Sequence, residues 1–278
     1  MPDFWLAYDA GRARELPARA QKLVDLFFQP HAAEYRQAGV DATIRRVTTW
    51  LPQFDAIAVD VRALHERFTT TYARNLTRFR TALPDFDGRA SPVVLLPSLY
   101  HFDAHLQPDG QRLPLFFGPD GIVRFHGPGA DLGVLFAHEL FHCYQAQKNP
   151  SMSLDEHAPV FASLWIEGVA TYASERINPD APLLHVLLDD TRLAGIATPT
   201  LKEVAQSLIT HLDATDDAAQ TPFFDRGYRG DWPPRTGYYV GLLAARKLGE
   251  SMTLRQMAEL PTPRVREFLE QALRAIAT

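Results

Sequence analysis

Cysteine is almost missing from this chain of 278 residues; Cys143 is the only one. That excludes an intrachain disulfide and a cysteine-based zinc cluster, so any metal must be held by His, Asp or Glu. Cys143 itself reads as a small buried apolar residue. A basic surplus is missing too. The net charge of −5 argues against a nucleic-acid or anionic-membrane partner, both of which call for a basic face. No window reaches the roughly 18 consecutive apolar residues of a spanning helix, and there is no internal repeat or low-complexity tract. The first residues, MPDFWLAYDAGRAREL, lack a basic start followed by an apolar core and do not read as a secretory signal. A cytoplasmic location is therefore expected; an exported protein whose leader has been removed would read the same way.

What is present divides into three textures along one expected domain. Residues 1–88 are helical in pattern. Glu15 to Gln37 carries Leu16, Leu23, Leu26, Phe27 and Ala33 at helical spacing. A short helix is expected from Ala42 to Trp50, ending before Pro52, and a longer one from Phe54 to Leu83. Residues 89–150 change period. Ser91 to Tyr100 reads as a buried strand. Leu113–Phe117 and Ile122–Phe125 read as two more, joined by the turn GPDG. Pro114 suggests that the first of these two lies at a sheet edge. A helix is then expected from Leu132 to Lys148, with Asp131 as its N-cap.

Residues 151–278 are helical again, with helices expected over Pro159–Arg176, Leu183–Ala194, Leu201–Leu212, Gly237–Leu248, a short one from Leu254, and Pro263–Ala277. Asp213 to Arg235 is expected to be one long irregular connection. The fold class expected is α+β: a small mixed sheet with an active-site helix between largely helical N- and C-terminal parts.

Within the helix from Leu132 lies LFAHELFHCYQAQK, residues 135–148. Residues four apart on an α-helix are turned by about 40° and displaced by about 6 Å, so His138 and His142 share a face and can share a cation. Glu139, about 100° away, can stand beside a metal without ligating it. By composition alone H-E-x-x-H arises in about one chain of this kind in fifty, so the motif does not decide the matter unaided. Its surroundings help: Val134, Leu135, Phe136, Leu140 and Phe141 are apolar, and three polar groups in such a helix are costly without a partner.

A catalytic zinc needs a third protein ligand. His157 in the polar loop SMSLDEHAP and Glu167 in FASLWIEGVATYASER are the two candidates. Glu167 is the stronger, because it interrupts an apolar helix where an unpaired carboxylate is expensive. Gly168, Ala170 and Ala173 are small enough to let this helix approach the H-E-x-x-H helix. Glu175, near the helix end, reads as solvated.

HELFH followed by WIEGVATY resembles the gluzincin branch of the zincin metallopeptidases, with Thr171 where thermolysin-type enzymes often carry an aspartate. The metzincin pattern is absent, since Gln145 and Lys148 take its glycine and third-histidine positions. A closer likeness is to bacterial predicted zinc-dependent proteases that combine H-E-x-x-H, E-G-x-A and G-Y-x-x-G segments; HELFH, EGVATY and RTGYYVG occur here in that order. The resemblance implies a zincin-like fold, a Zn²⁺ ion on His138, His142 and Glu167, Glu139 as general base, and a peptide or protein substrate. Tyr238 occupies the tyrosine of G-Y-x-x-G and is the expected oxyanion donor, with Tyr239 and Arg235 as alternatives.

An edge strand, Leu113–Phe117 or Ile122–Phe125, is expected to pair with substrate backbone. Phe161, Trp165 and Trp232 are expected to line the pocket. His126 reads as a surface-turn residue, and His101 and His105 as structural residues of a loop bracketed by Pro97 and Pro108. The competing readings are a catalytically silent zinc-binding or ligand-binding module on the same fold, and a helical protein in which these polar residues merely pair.

Overall fold

The computed structural model describes residues 1–152 and 158–278. His157 lies outside the described residues. The chain is mostly helical with one small mixed sheet among them, compatible with the α+β class. It divides into two compact units, residues 1–71 with 87–130 and residues 72–86 with 131–278. No described helix is long and apolar enough to cross a membrane.

The first unit begins with α1 (Pro2–Gly11) and α2 (Leu16–Leu23), which runs on into a π-helical turn, Val24–Phe28. The single helix expected over Glu15–Gln37 is interrupted here. It resumes as α3 (Ala32–Gln37) after Pro30, which has no N–H to continue a helical ladder. The core is aromatic: Phe4 sits edge-on to Trp5, Phe27 and Phe54 at centroid distances of 5.0–5.3 Å.

The next helix, α4 (Ile44–Ala82), is continuous through Pro52, so the two helices expected on either side of that proline are one. An interior proline costs about 3 kcal/mol. Pro52 is exposed, however, while Trp50, Leu51 and Phe54 around it are buried, and each such burial returns about 1.5–3 kcal/mol. Packing outweighs the lost hydrogen bond.

The sheet is short. Strands β1 (Val93–Leu95), β2 (Ala104–Leu106) and β3 (Leu115–Phe117) lie in the order β1-β3-β2, with β1 parallel and β2 antiparallel to β3. Four expectations change here. The strand expected over Ser91–Tyr100 is only three residues long and half-buried. The segment around His105 is a strand rather than a loop. β3 is central, because Pro114 precedes the strand and withdraws no N–H from it. Ile122–Phe125 belongs to a helix, α5 (Pro119–His126).

The helical outcome for α5 has a local cause. Gly118 is extended at the N-cap and Pro119 sits in the first turn, a favoured helix start. Gly121 must lack a side chain, since a Cβ there would stand 1.9 Å from the Phe102 carbonyl oxygen. With β3 paired on both sides and Ile122–Phe125 helical, neither segment can accept a substrate strand.

Asp120 anchors this arrangement from full burial. Its Oδ1 accepts from Ser98 N at 2.6 Å and Ser98 Oγ at 3.2 Å; its Oδ2 accepts from Trp50 Nε1 at 3.0 Å and Tyr100 N at 3.1 Å. Burial pushes its carboxyl above the usual range, and these donors oppose that rise. The same bonds hold Leu99 and Tyr100 at φ of 54° and 60°. Asp120→Asn turns an NH₂ toward two of these donors in either amide orientation. It is expected to cost about 1–3 kcal/mol, read as a lower midpoint of urea unfolding; an unchanged midpoint contradicts this role.

The second unit contains α6 (Leu132–Lys148), α7 (Val160–Ile177), α8 (Leu183–Val186), α9 (Thr191–Ala194), α10 (Thr198–His211), α11 (Asp217–Phe224), α12 (Thr236–Leu248), α13 (Leu254–Ala258) and α14 (Thr262–Ala277). Asp131 caps α6 as expected, accepting from Gly133 N at 2.8 Å and Val134 N at 3.2 Å. Leu183–Ala194 is two short helices, split where Leu188 and Asp189 take positive φ. The connection Asp213–Arg235 is not wholly irregular, since it contains α11, capped by Asp216.

α7 packs between α6 and α12. The close approach permitted by Gly168 is to α12, not to the H-E-x-x-H helix. A Cβ on Gly168 would lie 2.5 Å from the Gly241 backbone, and one on Gly241 would lie 2.7 Å from the Gly168 Cα.

Candidate metal centre

His138 and His142 project from one face of α6, their rings 4.6 Å apart and nearly perpendicular. Glu167 reaches them from the middle of α7. His138 is 2% exposed, and His142 and Glu167 are each 9% exposed. Three donor atoms converge: His138 Nε2 and His142 Nε2 are 3.0 Å apart, and Glu167 Oε2 is 3.2 Å and 3.4 Å from them. Ligand bonds of about 2.0–2.2 Å require the corners of a regular tetrahedron to stand about 3.3–3.6 Å apart. The observed triangle is close to one face of that tetrahedron. This buried group could hold a metal ion.

The electrostatics suit a cation. Burial works to lower the basicity of His142, but the Glu167 carboxylate overrides it and its pKa is pushed up to about 9. Burial likewise works to raise the Glu167 carboxyl, yet His142 and His138 hold it well below the usual carboxylate range. The group thus attracts positive charge, and a metal ion entering it near neutral pH displaces a proton.

Glu139 is half-buried and outside the donor triangle, but its charge is felt both at His142 and at the Tyr238 hydroxyl. Tyr238 comes from the first turn of α12. Its ring stacks on His138 at 6.1 Å and 14°. Burial, reinforced by Glu167, pushes its hydroxyl well above the usual value, so it stays a proton donor at neutral pH. Of the two expected alternatives, Tyr239 acts on Arg246. Arg235 lies beside Tyr238, its guanidinium carbon 5.6 Å from that ring centroid.

Other expected residues are engaged elsewhere. Glu175 is half-buried and ion-paired with Arg246, whose Nε donates to it at 3.0 Å. Trp165 packs edge-on against Phe268 and Trp232 stacks on Phe223. Thr171 Oγ1 donates to the backbone carbonyl of Glu167 at 2.7 Å. Lys148 pairs with Asp85 at 2.5 Å. His126 is no surface-turn residue: its buried ring meets Asp103 at 2.6 Å. His105 stacks on Phe102, and His101 lies 3.4 Å from Arg46. Cys143 is buried and in no disulfide.

Sequence reasoning misses the partner of Arg235. Its Nη2 donates to Asp190 at 3.2 Å across 45 positions, and no spacing signal links the two. Arg235 also sits at φ +61° and ψ +26°, a left-handed conformation that costs a non-glycine residue about 1–3 kcal/mol and that clusters at functional sites. Compared with known proteins, the chain matches no protein-family model, no curated protein and no solved structure.

Proposed function

We propose that the chain is a zinc-dependent peptidase of zincin-like fold. The observation that carries this reading is the triangle of His138 Nε2, His142 Nε2 and Glu167 Oε2, with edges of 3.0–3.4 Å, beside a glutamate that is not part of it. Two neutral imidazoles and one carboxylate are a donor set that suits zinc, leaving a fourth position open. A zinc ion held there supplies Lewis acidity, lowering the pKa of water and polarising a carbonyl.

The chain's own groups supply the rest. Glu139 takes a proton from the attacking water as the water oxygen bonds to the peptide carbonyl carbon. It then passes that proton to the amide nitrogen as the C–N bond breaks. Tyr238, kept protonated by burial, donates its O–H to the developing oxyanion. His138 is clamped between the Tyr238 ring and the Glu167 carboxylate, which fixes the orientation of its imidazole. The test is incubation of the zinc-loaded protein with a defined peptide mixture and mass-spectrometric identification of products. New termini that vanish on chelation support the reading, and an unchanged mixture contradicts it.

A further inference from the structure

The start of α12 holds two donors that no group among the described residues uses. Arg235, the N-cap, is 5% exposed, and its Nε has no hydrogen-bond partner among the described residues. Thr236, the first helical residue, is fully buried, and its Oγ1 has none either. Both stand at the positive end of a 13-residue helix that no side chain caps. Buried unpaired donors of this kind are rare and call for an acceptor.

Asp190 is not that acceptor. Its Oδ1 is occupied by Arg192 N and Leu193 N at the start of α9, and it takes only Nη2 of Arg235. A guanidinium N–H, a hydroxyl and the positive end of a helix are thus offered by two consecutive residues, a donor chemistry that suits an anion.

The place is also informative. The Arg235 guanidinium lies 5.6 Å from the Tyr238 ring, and that ring lies 6.1 Å from His138. One tyrosine therefore separates the unused donors from the metal group. Successive residues of an extended peptide are about 3.8 Å apart at Cα, so a peptide bound at the metal group reaches Arg235 within a few residues of the bond to be cleaved. Arg226 adds a second positive charge that is felt at Tyr238.

We propose that Arg235 and Thr236 bind the terminal carboxylate of the substrate, so that hydrolysis removes residues from the C-terminus. This deepens the peptidase reading and rests on it for the nature of the substrate.

The test separates binding from turnover. Zinc-loaded Glu139→Gln protein is immobilised and given an equimolar mixture of randomised octapeptides with free C-termini and the same peptides as C-terminal amides. The free acids are expected to be enriched at least about tenfold over the amides. Arg235→Lys, which keeps the charge and the backbone conformation but not Nε, and Thr236→Val, which removes only the hydroxyl, are each expected to reduce that enrichment at least about threefold, with zinc content and circular dichroism unchanged. Equal retention of acids and amides, or full acid preference in both folded variants, overturns the proposal. Cleavage by the wild type distinguishes the two readings. Products formed equally from acids and amides overturn the carboxylate site and leave the peptidase. An Arg235-dependent acid preference with no cleavage supports the carboxylate site and removes the peptidase reading alone.

Discussion

Glu139→Gln is expected to keep its metal and to lose hydrolysis by a factor of at least about 10²–10⁴, the range associated with a positioned general base. Glu139 contributes no atom to the triangle formed by His138, His142 and Glu167, so the amide should leave metal affinity nearly unchanged. Glutamine matches glutamate in shape but cannot take a proton from water. The two readouts therefore separate. Zinc per chain reports the donor triangle, and kcat/KM on a cleaved peptide reports the base. Activity retained within about threefold would remove Glu139 from the mechanism. A catalytically silent zinc module differs at the outset, because its wild type shows no activity to lose.

Gly168→Ala should be as damaging, against the usual trend. In a helix interior, alanine is ordinarily more favourable than glycine by about 1 kcal/mol. Here the new Cβ would stand 2.5 Å from the Cα and carbonyl carbon of Gly241. Those are backbone atoms that cannot rotate away, so α7 and α12 must separate. Overpacking of this kind typically costs about 1–3 kcal/mol.

The consequence reaches the site because Glu167 precedes Gly168 on α7 and Tyr238 lies one turn before Gly241 on α12. The expected result is a lower midpoint of thermal unfolding together with weaker metal retention. A variant that is stabilised, as propensity alone would have it, contradicts the close crossing.

The donor triangle was legible in the sequence because its members are polar residues set into apolar helices. Such residues are conspicuous where burial without a partner is costly. The cap at Asp131 was legible for a similar reason, as a side-chain acceptor just ahead of an apolar helix. Short local signals misled elsewhere. Ile122, Val123 and Phe125 form an apolar run that suits a strand or a helix, and only Gly118 and Pro119 ahead of it favour the helix. Pro52 reads locally as a stop, and tertiary burial of its neighbours overrides it. β2 carries a single histidine and a proline-bounded context, with no alternation long enough to mark a strand.

The Tyr238–His138 stack and the Arg235–Asp190 pair depend on packing between helices distant in sequence, and no periodicity encodes that. Gly168 shows the intermediate case. Its small size predicted a close helix contact, but the partner, Gly241, could be named only from the packing.

The central claim is that His138, His142 and Glu167 are metal ligands, and the most direct test is zinc content per chain by mass spectrometry. Wild type and Glu167→Ala are to be compared after zinc loading and dialysis. About one zinc per wild-type chain, falling well below half in Glu167→Ala, is the result expected of a three-ligand site. A wild type that carries no zinc after loading would contradict the claim. The three residues would then be a buried hydrogen-bonded ion pair and nothing more.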